Sequence, residues 1–367
     1  MTSPATRRSY LDVLRGIAVL IMIEAHVIDA WTRAADRGSR AFGQSLILGG
    51  FGAPLFLFLA GIGVVLSAGS KARRSGDPAA ASRAVQKRGL QIFALAFLFR
   101  LQSYVLGGFT APAWTMLKVD ILNIMGPAMI AAAALWALAR GPVRRGAAYT
   151  AAAIALVFLT PAIRDIAALA VLPDPVEAYL RPIPGLNNFT FFPWVAFVMA
   201  GAAVGVILEA AGTAAADRRV NVALGLTGAA LAWIAYEASF LPPLDPRSRF
   251  WTTSASFFFL RLGLMVAALG AAWLWEQRPT AGRRWSPLQL LGRTSLFIYW
   301  VHVELVYGLI SRPLHGAFSL PAAWAALAAF WAAMIWLAAQ KQRLWDKYVQ
   351  RRRLHGKLSE KVLALMF

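Results

Sequence analysis

The chain has 367 residues, 59% of them hydrophobic and only 15% charged, with a mean hydropathy of +0.58, a balance that excludes an ordinary water-soluble globular domain. The formal net charge of +20 would suggest nucleic acid in a soluble protein, but here the charges must first be placed on a membrane topology. Cysteine is absent, which excludes disulfides, zinc-thiolate sites and a cysteine nucleophile, and leaves His, Ser, Tyr and carboxylates for chemistry.

Ala, Leu and Gly dominate recurrent apolar runs of about twenty residues, each long enough for a helix rising about 1.5 Å per residue to cross a core of about 30 Å. That composition favours helices over a barrel. The N-terminal MTSPATRRSY enters the first run without a small-residue cleavage site, so this run reads as a retained helix. In chain order the pattern predicts spans near 10–31, 46–68, 86–106, 118–139, 147–171, 191–211, 220–241, 253–276, 288–310 and 321–340. The expected class is an all-α polytopic membrane protein of about ten transmembrane helices in a single bundle. Residues 1–340 read as the membrane domain and 341–367 as a basic cytoplasmic tail.

With the N-terminus inside, the inner connections are KARRSGDPAAASRAVQKR, RGPVRR, EAAGTAAADRR, EQRPTAGRR and the tail KQRLWDKYVQRRRLHGK. They hold about two dozen Lys and Arg against about seven in the outer loops, which places both termini in the cytoplasm. The charge is thus mainly topological, with the tail also suited to anionic lipid, and no nucleic-acid partner is implied. Outer loops gather Pro and Trp, as in GGFTAPAWTM and LPDPVEAYLRPIPGLNNFTFFPW, and such segments form lids and surface pockets. Gly201 to Gly205 offers a close-packing helix face, and Gly61 and Gly63 read as packing positions.

The first span carries Asp12, Arg15, Glu24, His26 and Asp29. At 100° per residue with Arg15 as zero, Val19 falls at about 40°, Met22 at about −20°, His26 at about 20°, Asp29 at about −40° and Asp12 at about 60°. These form one stripe, whereas Glu24 lies at about 180°. Intramembrane ionisable groups cost about 2.5–3.5 kcal/mol each on insertion scales and usually face a bundle interior or wet cavity. Asp12, Arg15 and Asp29 read equally as headgroup anchors. Glu24 reads either as a substrate-binding group or as one half of a structural ion pair, with Arg100 or Arg261 as the candidate partner. His26 is the group best suited to take a proton near neutral pH, with Asp29 at i+3 to orient it.

In the ninth span, Ser295, Tyr299 and His302 share one helix face and Arg293, Trp300 and Glu304 another. His302 reads as a donor or acceptor ligand or as a bond across the bundle. Asp120 and Asn123, which open the fourth span, and Asn187 and Asn188 before FFPW suit an acceptor site at the outer mouth, though span ends need polar residues anyway. His315 and His355 read as solvent-exposed. No pair of histidines has a metal-ligand spacing, so no metal is expected.

RRSYLDVLRGIAVLIMIEAHVIDAW followed by GGFGAPLFLFLAGIGVVLS resembles the opening of the heparan-α-glucosaminide N-acetyltransferase catalytic-domain family, whose bacterial members often read D-x-x-R-G-x-x-x-x-x-M and then A-P-x-F-x-F-L-x-G. KVDILNIMG (118–126), FFPWVAFVMAGAAVG (191–205) and LGRTSLFIYWVHVEL (291–305) fit the same family in order. The Arg15-x10-His26 spacing is also similar to that of membrane acyltransferases acting on sugars and envelope polymers. The resemblance implies an acyltransferase that takes an acetyl or other acyl group from cytoplasmic acyl-CoA, acetyl-CoA above all, to a sugar or amino-sugar acceptor at the outer face. It also implies a bacterial cytoplasmic (inner) membrane setting. In the family's animal member the catalytic histidine lies in the lumenal region before the second helix. Residues 32–45 here hold no histidine, and the resemblance makes His26, at the outer end of the first helix, the nearest candidate for that role.

On that footing the CoA phosphates would sit among Arg73, Arg74, Lys87 or Arg88, with the pantetheine arm rising beside Arg15 to His26. His26, oriented by Asp29, would deprotonate the acceptor directly or carry the acyl group itself. For each of those basic residues topology alone is a sufficient reason. A secondary transporter or exporter of a polar or lipid-linked substrate, and a non-catalytic membrane partner, are the competing readings. Acceptor, acyl length and oligomeric state, a homodimer included, are left open by the sequence.

Overall fold

The computed structural model describes residues 8–278 and 286–354. His355 and the rest of the expected tail to 367, and most of the EQRPTAGRR loop, lie outside the described residues. The helices are α1 (Ser9–Trp31), α2 (Arg40–Gly49), α3 (Gly52–Ser75), α4 (Pro78–Leu106), α5 (Ile121–Leu138), α6 (Pro142–Asp165) and the short α7 (Asp174–Glu177). They continue as α8 (Phe191–Ala210), α9 (Ala214–Ala238), the short α10 (Phe250–Thr253), α11 (Ala255–Glu276), α12 (Pro287–Arg293), α13 (Ser295–Tyr307) and α14 (Leu320–Leu354). Among the described residues there is no strand, only isolated bridges between Thr32 and Phe318 and between Val119 and Asn187.

Among the described residues, 8 helical segments are long and apolar enough to cross a membrane, with α2 and α3 together forming one of them. The chain is an all-α polytopic membrane protein. Two of the expected spans differ in kind. α1 is 23 residues long but carries Asp12, Arg15, Glu24, His26 and Asp29, and the ninth span is divided into α12 and α13 at Thr294, whose φ and ψ are −106° and 14°. α14 passes residue 340 without a break.

Local chemistry sets the helix ends. α3 stops at Gly76, whose φ of 70° is the left-handed conformation that glycine adopts without strain. Asp77 then caps α4 by accepting from the amides of Ala79 and Ala80 at 2.8 and 3.0 Å, and Pro78 occupies the first turn, where no amide donor is needed. α5 starts at Asp120, whose carboxylate accepts from Ile121 N at 2.9 Å while the Asn123 side chain accepts from Asp120 N at 3.0 Å.

In lipid the tails are as apolar as leucine, so close packing of small residues rather than water exclusion holds such helices together. α3 and α8 cross where a Cβ on Gly61 would overlap the Val198 carbonyl and one on Gly201 that of Phe58. The expected small-residue face at 201–205 therefore packs against α3. α1 sits on a seam between two apolar clusters. Leu14, Ala18 and Met22 pack with α3, α8 and their neighbours, whereas Val19, Ile23, Val27, Ile28 and Trp31 pack with α12, α13 and α14.

The two ends of the bundle are tied separately. At the end where α1 starts, Arg8 pairs with Asp217 and donates to Leu208 O at 2.8 Å, Tyr10 N donates to Glu276 at 2.9 Å, and Arg73 pairs with Glu209 at 2.7 Å. At the other end Arg33 N donates to Phe318 O at 2.8 Å and Asp36 accepts from Leu320 N at 2.8 Å.

Candidate functional site

At the end of the bundle away from residue 8, the last turns of α1, α4 and α13 meet the first turn of α5. Each brings polar side chains that the sequence places far apart. α1 supplies His26, half-buried, and α13 supplies His302, fully buried. His26 Nδ1 and His302 Nε2 are 3.0 Å apart, with parallel rings (6°) whose centroids are separated by 5.1 Å. His302 Nδ1 lies 2.7 Å from the Ile298 carbonyl oxygen.

A carbonyl oxygen only accepts, so His302 Nδ1 carries the proton and donates it. The lone pair of neutral His302 is then on Nε2, which fixes His26 Nδ1 as the donor of the bond between the rings. His26 Nε2 is left with a lone pair. The backbone of α13 thereby sets the tautomer of a histidine on α1.

The orienting bond expected from Asp29 is thus supplied by His302. Asp29 is half-exposed and faces Arg37 at 3.7 Å, while the Arg37 guanidinium also donates to the Asp29 carbonyl. Tyr307 meets the His26 ring at 5.5 Å and Tyr299 meets His302 at 5.8 Å, both edge-on.

α4 and α5 contribute an ion pair at this end of the bundle. Arg100 Nη2 on α4 donates to Asp120 Oδ2 at 2.6 Å, and both side chains are 19% exposed. Asn123, fully buried, donates to the Tyr179 hydroxyl at 3.4 Å and so joins the site to the 166–190 loop. Lys118 at its edge is pushed below its usual range by partial burial and by the Arg100 charge. The second face expected on α13 turns toward α4: Glu304 accepts from Ser103, and Trp300 donates to Gln102 Oε1 at 2.6 Å.

Other expected residues fall elsewhere. Asn187 clamps its own loop, donating to Ala178 O and, at 2.9 Å, to Arg181 O while accepting from Ile183 N at 2.9 Å; Asn188 is exposed, and its amide donates to Val119 O at 3.2 Å. Both shape the mouth through backbone geometry. Glu24 is 1% exposed and neither oxygen has a hydrogen-bond partner, so the ion pair expected with Arg100 or Arg261 is not formed. Arg100 is engaged by Asp120, and the Arg261 guanidinium stacks on Phe257 at 3.8 Å. His315 is exposed, with Nε2 donating to Val306 O at 2.9 Å.

Arg15 lies at the opposite end. Asp12, only 5% exposed, pairs with Arg15 at 3.1 Å and faces Arg293 at 3.7 Å. Two glycines permit this approach of α1 to α12: a Cβ on Gly16 would overlap the Leu288 carbonyl, and one on Gly292 that of Asp12. Between Arg15 and His26 the stripe is not an open wall, because Val19 is 0% and Met22 7% exposed, each packed into a different cluster. Arg73, Arg74, Lys87 and Arg88 are exposed on the α3–α4 hairpin, Arg73 in its pair with Glu209.

Reasoning along the sequence missed Ser103, Gln102 and the pairing of the two histidines. The available signal was FRLQSY, a run of polar groups closing the third span. A family model described as Heparan-alpha-glucosaminide N-acetyltransferase, catalytic, matches residues 7–236. No curated protein matches the chain. The matched stretch includes His26, Arg100 and Asp120 and ends before α13, which carries His302.

Proposed function

The chain belongs to the heparan-α-glucosaminide N-acetyltransferase catalytic family, and from that premise we propose that it moves an acetyl group from cytoplasmic acetyl-CoA to an amino-sugar or related glycan at the outer face of a bacterial cytoplasmic membrane. The observation that carries this reading is the hydrogen-bond relay from His26 through His302 to the Ile298 carbonyl. It leaves His26 Nε2 as a positioned base on a half-buried ring, at the end of the bundle where the outer loops gather.

Acetyl-CoA supplies the acyl carbon as a thioester. As the acceptor amine or hydroxyl attacks that carbon, His26 Nε2 removes its proton, the C–S bond breaks, and the thiolate leaves and takes up a proton. Positioned proton transfer of this kind contributes about 10²–10⁴-fold in rate. The bond from Nδ1 to His302 holds the ring in place during the step. In this reading the CoA phosphates are met by Arg74, Lys87 and Arg88, which are exposed on the α3–α4 hairpin. Passage of the thioester toward His26 requires Val19 and Met22 to part from their neighbours.

The test is acetyl-CoA turnover by purified protein in nanodiscs offered a panel of amino sugars and glycans. Wild type should release CoA with acceptor acetylation, and His26→Ala should lose it. Full thioester consumption by His26→Ala would sink the assignment of the base. Solute movement across proteoliposomes without CoA release would instead support a transporter. Acid quenching during turnover separates direct transfer from an acyl-histidine, which alone leaves label on the protein.

A further inference from the structure

The first turns of α6 and α9 and the last turns of α8 bound a groove of about 430 Å³, whose walls hold only Pro, Val, Gly, Ile and Ala, among them Val143, Gly146, Ile207, Ala216 and Val220. That volume falls within the range of about 300–1,000 Å³ typical of small-molecule sites. We propose that this groove holds an acyl chain of an anionic phospholipid, whose phosphate is met by Arg140, Arg144 and Arg219 at the rim. The site stands apart from acetyl transfer and does not depend on it.

Depth points to hydrocarbon. α8 has 20 residues and, at about 1.5 Å per residue, is about 30 Å long, the thickness of the apolar core. Its last turns, and the first turns of α6 and α9 beside them, therefore lie where acyl chains join their headgroups. A wall without a polar side chain at that level is matched by a lipid tail. Gly146 keeps the groove open. Glycine within a helix is unfavourable relative to alanine, and at Gly61 and Gly201 the close approach of a neighbouring helix accounts for it. At Gly146 an added Cβ would meet nothing within 4 Å, so no helix contact requires the missing side chain, and a larger residue there would fill the groove.

Charge selects the headgroup. Arg140 and Arg144 are exposed on either side of Pro142 and Val143, and the exposed Arg219 stands three residues after Ala216, next to it on the surface of α9. Among the described residues no carboxylate forms an ion pair with any of the three. The acids nearest to the groove in sequence are engaged elsewhere: Glu209 pairs with Arg73 at 2.7 Å, and Asp217 pairs with Arg8 while accepting from Trp273 Nε1 at 3.1 Å. Arg145 is engaged too, stacked on Trp136 and donating to Trp136 O and Ala139 O, each at 2.9 Å. Uncompensated cations beside an apolar channel at headgroup depth match a phosphodiester that carries long chains. A second copy of the chain docked here on a two-fold axis would bring the same arginines together, and coenzyme A has phosphates but no long hydrocarbon.

The experiment is native mass spectrometry of the full-length protein released from detergent micelles, titrated with dioleoyl phosphatidylglycerol and dioleoyl phosphatidylcholine in equal amounts. Wild type should retain its first phosphatidylglycerol roughly fivefold or more over phosphatidylcholine. Gly146→Leu, which fills the groove, should lose that preference, and so should the combined Arg140→Gln, Arg144→Gln and Arg219→Gln variant. A variant with the same charge removed from α14, at the exposed Lys341, Arg343 and Lys347, each to Gln, should keep it. Equal retention of the two lipids by wild type, which needs no variant to fold, overturns the proposal. So does an unchanged preference in Gly146→Leu, and an equal loss in the α14 variant would assign the preference to general surface charge. A wild-type dimer that Gly146→Leu converts to monomer would give the groove to a second copy, and loss of the retained lipid on adding coenzyme A would give the rim to the donor; either overturns the lipid assignment.

Discussion

His26 and His302, separated by 276 residues in sequence, are joined by a 3.0 Å Nδ1–Nε2 hydrogen bond, and the Ile298 carbonyl fixes the direction in which the bond donates. His302 is thus a positioning residue for His26, and replacing it should weaken turnover without removing the base. His302→Ala is expected to lower kcat by roughly tenfold to a hundredfold with KM unchanged, less than the loss in His26→Ala. Because the two act as a unit, the double variant should be no slower than His26→Ala alone. Steady-state kinetics on the three proteins check this, and a multiplicative double-variant loss would show that the relay is not used.

The parts of this site that were legible in the sequence are those fixed by local periodicity. The stripe holding Arg15, His26 and Asp29, and the two faces of 295–304, follow from 100° per residue, and the structure turns Glu304 and Trp300 toward α4 while His302 faces α1. Choosing partners across helices needs the packing angles. Arg100 was a candidate partner for Glu24, but the capping chemistry of α5 brings Asp120 to within 2.6 Å of it. Asp29 was on the correct face and in the correct turn for His26, yet its own side chain is half-exposed and turns to Arg37. The break at Thr294, which allows α12 and α13 to meet α1 at its two ends, has no proline or glycine at the break itself to mark it.

The Asp120 carboxylate has two jobs that separate by substitution. It caps α5 through Ile121 N and pairs with Arg100. Asp120→Asn retains a capping oxygen but loses the charge, whereas Asp120→Ala loses both. Removing a cap costs about 1 kcal/mol, and an ion pair that is partly exposed contributes about the same. Unfolding in mixed micelles should therefore rank wild type above Asp120→Asn above Asp120→Ala. In the Arg100→Gln background the step from Asp to Asn should nearly vanish.

Acid should loosen the start of α14. Asp36 is held below its usual range by the Leu320 amide it accepts from and by Arg33. A carboxylate with a lowered folded pKa contributes stability that is present above its unfolded value near 4 and is lost as pH falls through the folded value. Protection of the Leu320 amide from hydrogen exchange, corrected for the intrinsic rate, should hold from pH 7 to about 4 and then fall. In Asp36→Asn the protection should be lower and flat across that range. A wild-type profile that is equally flat would show that the contact does not pin the helix.

The absence of cysteine makes the orientation directly measurable, since any introduced thiol is the single reporter. Ala35 and Ala317 are exposed at one end of the bundle, which the bond from Arg33 N to Phe318 O ties together. Ala79 and Ala215 are exposed at the other, where Arg73 pairs with Glu209. The second end carries the basic connections, so it should face the cytoplasm. A membrane-impermeant maleimide added to spheroplasts should label Ala35→Cys and Ala317→Cys, and should reach Ala79→Cys and Ala215→Cys only after permeabilisation. Within each pair the two must agree whichever way the protein is inserted, so a split pair would contradict the fold. The reversed pattern would leave the fold standing, put His26 on the cytoplasmic side, and remove the need for the acetyl group to cross the membrane at all.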